Sequence, residues 1–221
     1  MDPTLTGPYE YEPLCKKQCE IRLLIVHAAS ESPDRIVKGS IRHVSLSTDP
    51  KPTYETISYV WGDPRERATI LINGARLDCS SSSERALRRM RHATKDRVLW
   101  IDAVCINQID DVERSEQVAI MAKIYANTTT NLVWLGEEED STNDALEAVR
   151  LIFEDARRET NDFADFLQTM WDHKQRYWRY AEKDIDVDVG TLLECLRFFD
   201  NTWFQRLWVR ERDATITVGQ P

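Results

Sequence analysis

An apolar run that ends in a carboxylate is the feature that most restricts how this chain can fold. The four residues from Val98 to Ile101 are all apolar, and Asp102 comes directly after them. Such runs are typical of strands buried on both faces of a parallel sheet, and the carboxyl ends of those strands carry the ligand-binding loops of α/β proteins. We therefore predict a strand over Val98–Asp102 and a functional loop that continues to Gln108.

Two further runs predict strands beside this one. Tyr54–Trp61 is rich in β-branched and aromatic residues and is stopped by the turn-forming sequence Gly62-Asp63-Pro64, and Asn131–Gly136 is a second short apolar run. Helix-like patterns separate the three runs, and a β-α-β-α-β order is typical of parallel strands joined by helical crossovers. The carboxyl ends of the strands would then bring the loops Ser58–Asp63 and Asp102–Gln108 to one edge of the sheet.

Sequence signals also predict where the two crossover helices begin. Ser81 with Glu84 three residues later has the form of a capping box, which opens a helix. Asp110 or Asp111 is expected to cap the next helix, because a carboxylate there accepts hydrogen bonds from the first free amide groups. The apolar stripe of this second helix consists of Val118, Met121, Ala122 and Tyr125.

The front of the chain predicts antiparallel structure. Residues 1–20 are rich in Pro, Tyr and Glu and predict an irregular lead-in. Ile21–Val26 and Ser40–Leu46 predict an antiparallel pair of strands. Thr69–Leu77 predicts a hairpin, because Asn73-Gly74 supplies the positive φ angles of a type I′ turn.

Composition limits the number of domains and the classes of partner. The 221 residues, of which 42% are hydrophobic, are enough for one elaborated domain, and apolar stripes predict a helical insertion from about Asn143 to Asp200. A formal net charge of -9 argues against a nonspecific nucleic-acid binder, and the basic cluster Arg85–His92 is interpreted as a solvated helix face. No apolar run approaches the roughly 18 residues of a membrane span, so we expect a soluble protein that binds neither nucleic acid nor membranes.

The five cysteines predict neither a disulfide framework nor a metal site. They are odd in number and lack the paired C-x-x-C spacing of zinc ligands, so we expect reduced thiols in a cytoplasmic protein. Cys105 is interpreted as a small buried thiol rather than a nucleophile, since no histidine belongs to its motif. The alternating aspartates from Asp184 to Asp188 lack the glycine and terminal glutamate of an EF-hand loop, and we expect no bound metal.

Several of these segments together resemble the fungal heterokaryon incompatibility (HET) domain. The resemblance spans residues 21–209 and is carried by Tyr54–Asp63, Leu99–Gln108, Glu113–Val118 and Val133–Gly136. HET domains act in the cytosol as death-inducing modules of fungal nonself recognition and are distantly similar to Toll/interleukin-1 receptor (TIR) domains. The resemblance therefore implies an α/β, TIR-like (flavodoxin-like) fold: a mostly parallel sheet flanked by helices, with an N-terminal β-hairpin addition and the helical insertion. It implies a single HET domain over residues 21–221, with a TIR-like core at about 54–136 and a C-terminal segment at 203–221.

In TIR domains the corresponding strands and loops frame either a cleft that hydrolyses NAD or a surface for self-assembly. By position, the resemblance implies two loops that line such a cleft. The first loop holds Ser58, Tyr59, Trp61 and Gly62, and the second holds Asp102 and Asn107. NAD is then a substrate, no cofactor is expected, and the partners are further copies of the chain or signalling proteins.

The catalytic glutamate that the resemblance implies belongs near the C-terminal end. HET domains usually read Arg-x-Trp-Val-x-Gln-Glu at this point, whereas this chain reads Arg206-Leu207-Trp208-Val209-Arg210-Glu211-Arg212. Glutamate stands one place early, and Arg212 occupies the usual position of the acid. Either Glu211 serves as the catalytic carboxylate, with Arg206 and Trp208 binding substrate beside it, or the carboxylate is absent. The chain stops soon afterwards, at Pro221, and we expect it to be a truncated or rearranged form of a longer protein.

Cleavage of the nicotinamide glycosidic bond requires a carboxylate near the ribose, which stabilises an oxocarbenium-like state, and an aromatic wall for the nicotinamide. Glu211 is the candidate carboxylate, and Trp61 or Trp208 is the candidate wall. The structural alternative puts Glu211 on the surface and both tryptophans in the core. Asp102 either orients a ribose hydroxyl or caps its own loop, and Ser58 either contacts the ligand or satisfies a neighbouring group.

Two functions follow from these expectations. The first is a cytosolic module of nonself recognition and cell-death signalling that hydrolyses NAD when clustered, which the aromatic residues near the predicted cleft favour. The alternative is a non-enzymatic TIR-like scaffold that self-associates through the loop Asp102–Gln108 and its flanking helices. Arg212, at the position where glutamate is usual, favours the scaffold.

Overall fold

The computed structural model describes residues 6–15, 19–31, 36–137 and 201–205. The chain divides into two compact units, residues 1–136 with 215–221 and residues 137–214. In the second unit, the described part includes a 3-10 turn at Thr202–Gln205, in which Trp203 is buried. The predicted helical insertion from Asn143 to Asp200 lies outside the described residues.

The described part of the first unit is built on one eight-stranded sheet. Its strands are β1 (Thr6–Pro8), β2 (Glu20–Val26), β3 (Lys38–Ser45), β4 (Glu55–Tyr59), β5 (Arg67–Ile72), β6 (Ala75–Ser80), β7 (Arg97–Trp100) and β8 (Thr130–Trp134). They lie in the order β1-β6-β5-β3-β2-β7-β4-β8. The helices are α1 (Ser81–Met90), α2 (Asp102–Cys105), α3 (Asp111–Ala119) and α4 (Met121–Ala126), and a 3-10 turn covers Ala29–Glu31. The unit is therefore α/β.

Strands β7, β4 and β8 form a parallel group, as the apolar runs predict. Glu55 of β4 pairs with Leu99 of β7 on one side and with Thr130 of β8 on the other. Successive residues are buried along β4 from Thr56 to Tyr59, which means that both faces of this strand are covered. The three carboxyl ends therefore lie at one edge of the sheet.

The antiparallel predictions for the front of the chain are confirmed. β2 pairs with β3, and β5 pairs with β6 through a turn in which Asn73 and Gly74 have φ angles of 53° and 81°. The front pair is not a separate addition, because β2 also pairs with β7 and β3 also pairs with β5. Four of the seven neighbouring pairs are parallel, so the sheet is mixed rather than mostly parallel.

Two boundaries differ from the sequence predictions. The segment expected to be irregular contains the short strand β1, which pairs with β6 in parallel and forms one edge of the sheet. The strand predicted to reach Asp102 ends at Trp100, and Asp102 begins the four-residue helix α2 instead of a loop. Apolar residues continue through α2, where Ala103, Val104 and Cys105 are all buried, so the apolar run does not mark where the strand ends.

The predicted helix signals are only partly correct. Ser80 caps α1 by accepting a hydrogen bond from the Ser83 amide, whereas the capping box was expected at Ser81, and Glu84 pairs with Arg88 instead of reaching back to the cap. Asp110 caps α3, as predicted, through bonds from two amide groups.

The predicted apolar stripe of the second helix is wrong in part. The chain breaks at Ile120 between α3 and α4, which changes the face that each helix turns to the core. Val118 and Ala122 are exposed, and Ile124 is fully buried in their place. Met121 and Tyr125 do pack against the core. The predicted stripe is wrong in part because it assumes one continuous helix over both segments.

Candidate functional site

The structure joins the two predicted loops through a contact between Trp61 and Asp102. Trp61 stands two residues after the end of β4, and Asp102 stands two residues after the end of β7, the parallel neighbour of β4. The Trp61 indole Nε1 donates a hydrogen bond of 3.0 Å to Asp102 Oδ2. Trp61 is 37% exposed, so its ring is accessible while its N–H is bound to the carboxylate. An aromatic face and an acid therefore meet at the carboxyl edge of the sheet.

Tyr59, the last residue of β4, is buried and interacts with Asp102. Burial raises the pKa of the Tyr59 hydroxyl far above its usual range, and the nearby Asp102 carboxylate raises it further. The hydroxyl therefore stays protonated at any physiological pH. A protonated phenol beside a carboxylate can donate a hydrogen bond to it.

The loop after β4 is fastened to the beginning of α1. Ser82 Oγ donates a hydrogen bond of 2.6 Å to the carbonyl oxygen of Trp61. Gly62 follows with a φ angle of +73°, a conformation that residues with a side chain rarely adopt. A Cβ at Gly62 would meet Ser82 at an ordinary distance of 3.5 Å, so backbone conformation rather than space requires glycine here. Both features hold the Trp61 ring at the strand end.

Asp102 has the structural role that was one of its two alternatives, and its carboxylate also contacts Trp61. Its Oδ1 accepts a 2.8 Å hydrogen bond from the Ala103 amide at the first turn of α2, while its Oδ2 receives the Trp61 indole. Its backbone carbonyl accepts a 2.8 Å bond from Gln108 Nε2. The structural role is thus carried by one carboxylate oxygen and the backbone, and the second oxygen faces the partly exposed tryptophan.

Asn107 belongs to a different set of contacts. Its side-chain oxygen accepts a hydrogen bond from the Ile109 amide within its own turn. Its backbone amide donates a hydrogen bond of 2.7 Å to Glu113 Oε1. Glu113 forms a buried ion pair with Arg22, at 2.6 Å. The structure therefore gives Asn107 a role in the turn rather than a contact with Trp61 or Asp102.

Sequence reasoning missed Arg22, although a signal for it exists. Arg22 is the only charged residue inside the apolar strand Ile21–Val26, and it is completely buried. Glu113, near the beginning of α3, is the partner of Arg22, whereas the neighbouring Arg114 binds Asp111. A charge inside an otherwise apolar strand requires a buried partner, and this requirement could have indicated the pair.

Two further residues that the sequence analysis considered are buried, one in β4 and one in α2. Ser58 is buried within β4, where it pairs in register with Val133 of β8. Cys105 is fully buried, and burial raises the pKa of its thiol to about 12. Such a thiol is protonated and inert at neutral pH, which agrees with its interpretation as a packing residue.

The remaining candidate site residues belong to the C-terminal segment. Glu211, Arg206 and Trp208 lie outside the described residues. Within the described ranges, three or more His, Cys, Asp or Glu side chains nowhere gather as metal ligands would. No helix in this part of the chain has the length and apolar character needed to cross a bilayer.

Comparison with known proteins identifies the family. Residues 54–211 match the family model described as heterokaryon incompatibility protein (HET). The chain belongs to the HET family. The matched range begins just before β4, and it includes Trp61, Asp102 and Glu211.

One curated relative supports this assignment. The chain is 30% identical to heterokaryon incompatibility protein 6, OR allele, of Neurospora crassa, over 90% of this chain and 32% of the relative. The HET chain thus spans about a third of the length of the curated relative it matches. No solved structure matches it.

Proposed function

We propose that this HET chain is a cytoplasmic module of fungal nonself recognition that cleaves NAD when it is clustered, and thereby signals cell death. The observation that carries the proposal is the contact between Trp61 and Asp102 at the ends of two adjacent parallel strands. Family membership supports the incompatibility role, and the chemistry of the strand ends supports the reaction. NAD is the substrate in this proposal, and self-association brings the modules together.

The strand order supports a TIR-like arrangement of the site. In chain order β4, β7 and β8 are the first, second and third parallel strands, and their spatial order is β7-β4-β8. This is the 2-1-3 order of flavodoxin-like sheets, which bind nucleotides outside the carboxyl ends of the strands, near the point where the order reverses. Trp61 follows β4, the strand next to that point.

The chemistry needs a wall, an orienting acid and a stabilising acid. The accessible face of Trp61 stacks on the nicotinamide, and Asp102 accepts a hydrogen bond from a ribose hydroxyl. Glu211 stabilises the positive charge that develops on the ribose as the bond between C1′ and the nicotinamide nitrogen breaks. The bonding electrons leave with nicotinamide, water adds to C1′, and ADP-ribose and a proton are released. Arg206 and Trp208 complete the substrate contacts in this proposal.

The test measures nicotinamide release from NAD by concentrated, crowded protein. We expect Glu211→Ala to lower the rate by about a thousandfold and Asp102→Asn to lower it by about a hundredfold. Asp110→Asn is the matched control, because asparagine caps a helix as well as aspartate does and the Asp110 carboxylate binds amide groups at the beginning of its own helix. Release that is equal in the wild type and the Glu211→Ala protein would exclude Glu211 from the reaction.

A non-enzymatic scaffold is the second candidate, and exposed apolar residues favour it. Ile109 is 93% exposed and Val112 is 59% exposed, directly after the segment Asp102–Gln108. Apolar side chains at this level of exposure are typical of surfaces that bind other proteins. For the scaffold we expect Ile109→Ser with Val112→Ser to abolish self-association measured by light scattering, while Glu211→Ala leaves cell-death signalling unchanged. Signalling lost with Glu211→Ala would contradict the scaffold.

A further inference from the structure

We propose that the buried ion pair of Arg22 and Glu113 is a positioning device, which holds the segment Asp102–Gln108 in place and thereby sets the Asp102 carboxylate against Trp61. Its catalytic readout rests on the proposed NAD reaction, whereas its structural readout does not. Arg22 lies in β2 and Glu113 in α3, so the pair connects the sheet to the helix that follows this segment.

The geometry of the pair is that of a fork. Arg22 NH1 lies 2.6 Å from Glu113 Oε1, and Arg22 NH2 lies 2.9 Å from Glu113 Oε2. The Arg22 side chain is fully buried, and that of Glu113 is 11% exposed. The guanidinium also stacks over the Tyr11 ring, with 4.8 Å between its central carbon and the ring centre. Two parallel bonds fix direction as well as distance, which a single ion contact does not do.

Both partners also bind the backbone of the segment. Arg22 NH1 donates a hydrogen bond of 3.2 Å to the Cys105 carbonyl, at the end of α2. Glu113 Oε1 accepts a bond of 2.7 Å from the Asn107 amide, two residues later. The pair therefore holds the segment at two points, one through a carbonyl and one through an amide.

Helix α2 depends on such external contacts, because it has only four residues. A helix this short has almost no internal hydrogen bonds, and its last carbonyl groups need partners from elsewhere. The Tyr11 hydroxyl donates a hydrogen bond of 2.9 Å to the Val104 carbonyl, and the Gln108 side-chain amide donates one of 2.8 Å to the Asp102 carbonyl. Side chains from the N-terminal region, β2, α3 and the segment itself therefore determine where α2 lies, and Asp102 is its first residue.

Stability alone does not account for a buried pair of this kind. Removing two charges from water has a large free-energy cost, and well-packed apolar residues in their place are often as stable or more stable. What apolar residues lack is direction: they pack against a segment but cannot bind its amide and carbonyl groups. Replacing both charges should therefore leave the fold intact and release the segment.

The test compares two double variants. Arg22→Met with Glu113→Leu removes the positioning pair. Arg97→Met with Glu55→Leu removes a partly buried ion pair between the first residues of β7 and β4. This pair lies at the amino ends of the two strands, whereas Trp61 and Asp102 follow their carboxyl ends. Each protein is compared with the wild type by thermal unfolding, by amide hydrogen exchange at residues 103–107, and by nicotinamide release under crowded conditions.

We expect the first double variant to unfold within about 5 °C of the wild type. Its amides at residues 103–107 exchange at least about tenfold faster, because the segment opens locally. Its nicotinamide release falls at least about tenfold, since Asp102 is displaced. The second double variant keeps the exchange rates and the release of the wild type.

Two results would overturn the positioning role. One is a first double variant that is folded and keeps the wild-type exchange rates at residues 103–107, because the segment is then held without the pair. The other is a first double variant that does not fold, because the pair is then needed for stability itself. If the wild type releases no nicotinamide, the NAD proposal fails, and the exchange rates alone decide the role of Arg22 and Glu113.

Discussion

The two halves of the sheet are assembled by different means. In the half made of β2, β3, β5 and β6, β5 and β6 are joined by a tight turn and β2 and β3 follow each other along the chain. In the half made of β7, β4 and β8, strands that begin at Glu55, Arg97 and Thr130 come together only through crossovers. In the first half the hairpin of β5 and β6 can be specified by local turn chemistry, whereas the second half depends on packing. The candidate site lies at the edge of the second half.

The largest effect is expected from the core of the crossover half. Trp100 is fully buried at the end of β7, and its ring packs edge-on against Tyr125 at 5.7 Å. Trp100→Ala should lower the free energy of unfolding by about 3–5 kcal/mol, because the cavity it leaves cannot close fully. Urea unfolding measures the change, and Trp100→Phe serves as a control with a smaller loss. A loss below about 1 kcal/mol for the alanine variant would show that packing in this half is not decisive.

A second prediction concerns the turn-built half, where backbones approach closely. A Cβ at Gly39 of β3 would lie 2.6 Å from the Ile25 carbonyl oxygen, so one of the two strands must shift. We expect Gly39→Ala to cost about 1–3 kcal/mol in urea unfolding. Gly7→Ala is the matched control, since a Cβ there would meet no atom of the described residues within 4 Å apart from its chain neighbours, and it should change stability by less than about 0.5 kcal/mol. Equal effects of the two variants would contradict the close approach.

The connection between the halves gives a smaller effect. Ser80 ends β6 and caps α1, the helix that leads to β7. Ser80→Ala should cost about 1 kcal/mol, because the Ser83 amide loses its acceptor. Ser81→Ala should be close to neutral, and thermal unfolding of both proteins separates them. A larger loss of stability from Ser81→Ala than from Ser80→Ala would show that Ser81 caps the helix, as the sequence predicts.

These differences explain what the sequence could predict. Asn73-Gly74 predicts its hairpin because the turn signal is local, and the apolar runs predict the parallel strands because burial on both faces favours apolar residues at successive positions. The cap was misplaced because four consecutive serines, Ser80 to Ser83, all qualify, and only the end of β6 selects one.

The candidate site was predictable to a different extent. Trp61 and Asp102 could be assigned to one edge of the sheet from strand order, but their hydrogen bond depends on how the two loops turn after the strands end. A charge inside the apolar strand indicates that Arg22 needs a buried partner, but Glu113 lies 91 positions away, and no local pattern identifies it as that partner.

The smallest effect at neutral pH is expected from Tyr54, at the amino edge of the crossover half. The Tyr54 hydroxyl donates a hydrogen bond of 2.7 Å to the Ile124 carbonyl. Burial raises the pKa of this hydroxyl from 10.0 to about 12. Between these values the unfolded chain gives up a proton that the folded chain keeps, so stability is unaffected below pH 10 and falls as the pH rises towards 12. Unfolding temperatures measured across this range should decline less steeply for Tyr54→Phe than for the wild type. An identical slope in both proteins would exclude Tyr54 as a source of the decline.

The central claim is that the ends of β4 and β7 form a nucleotide site, and the indole N–H of Trp61 tests it most directly. This signal is assigned in a nitrogen-proton NMR spectrum by its loss in Trp61→Phe, and NAD is then added to the wild type and to Asp102→Asn. The account predicts that NAD shifts the Trp61 signal in the wild type, leaves the signals of the buried Trp100 and Trp134 in place, and has a much weaker effect in Asp102→Asn. A Trp61 signal that NAD does not move, or moves equally in both proteins, would contradict it.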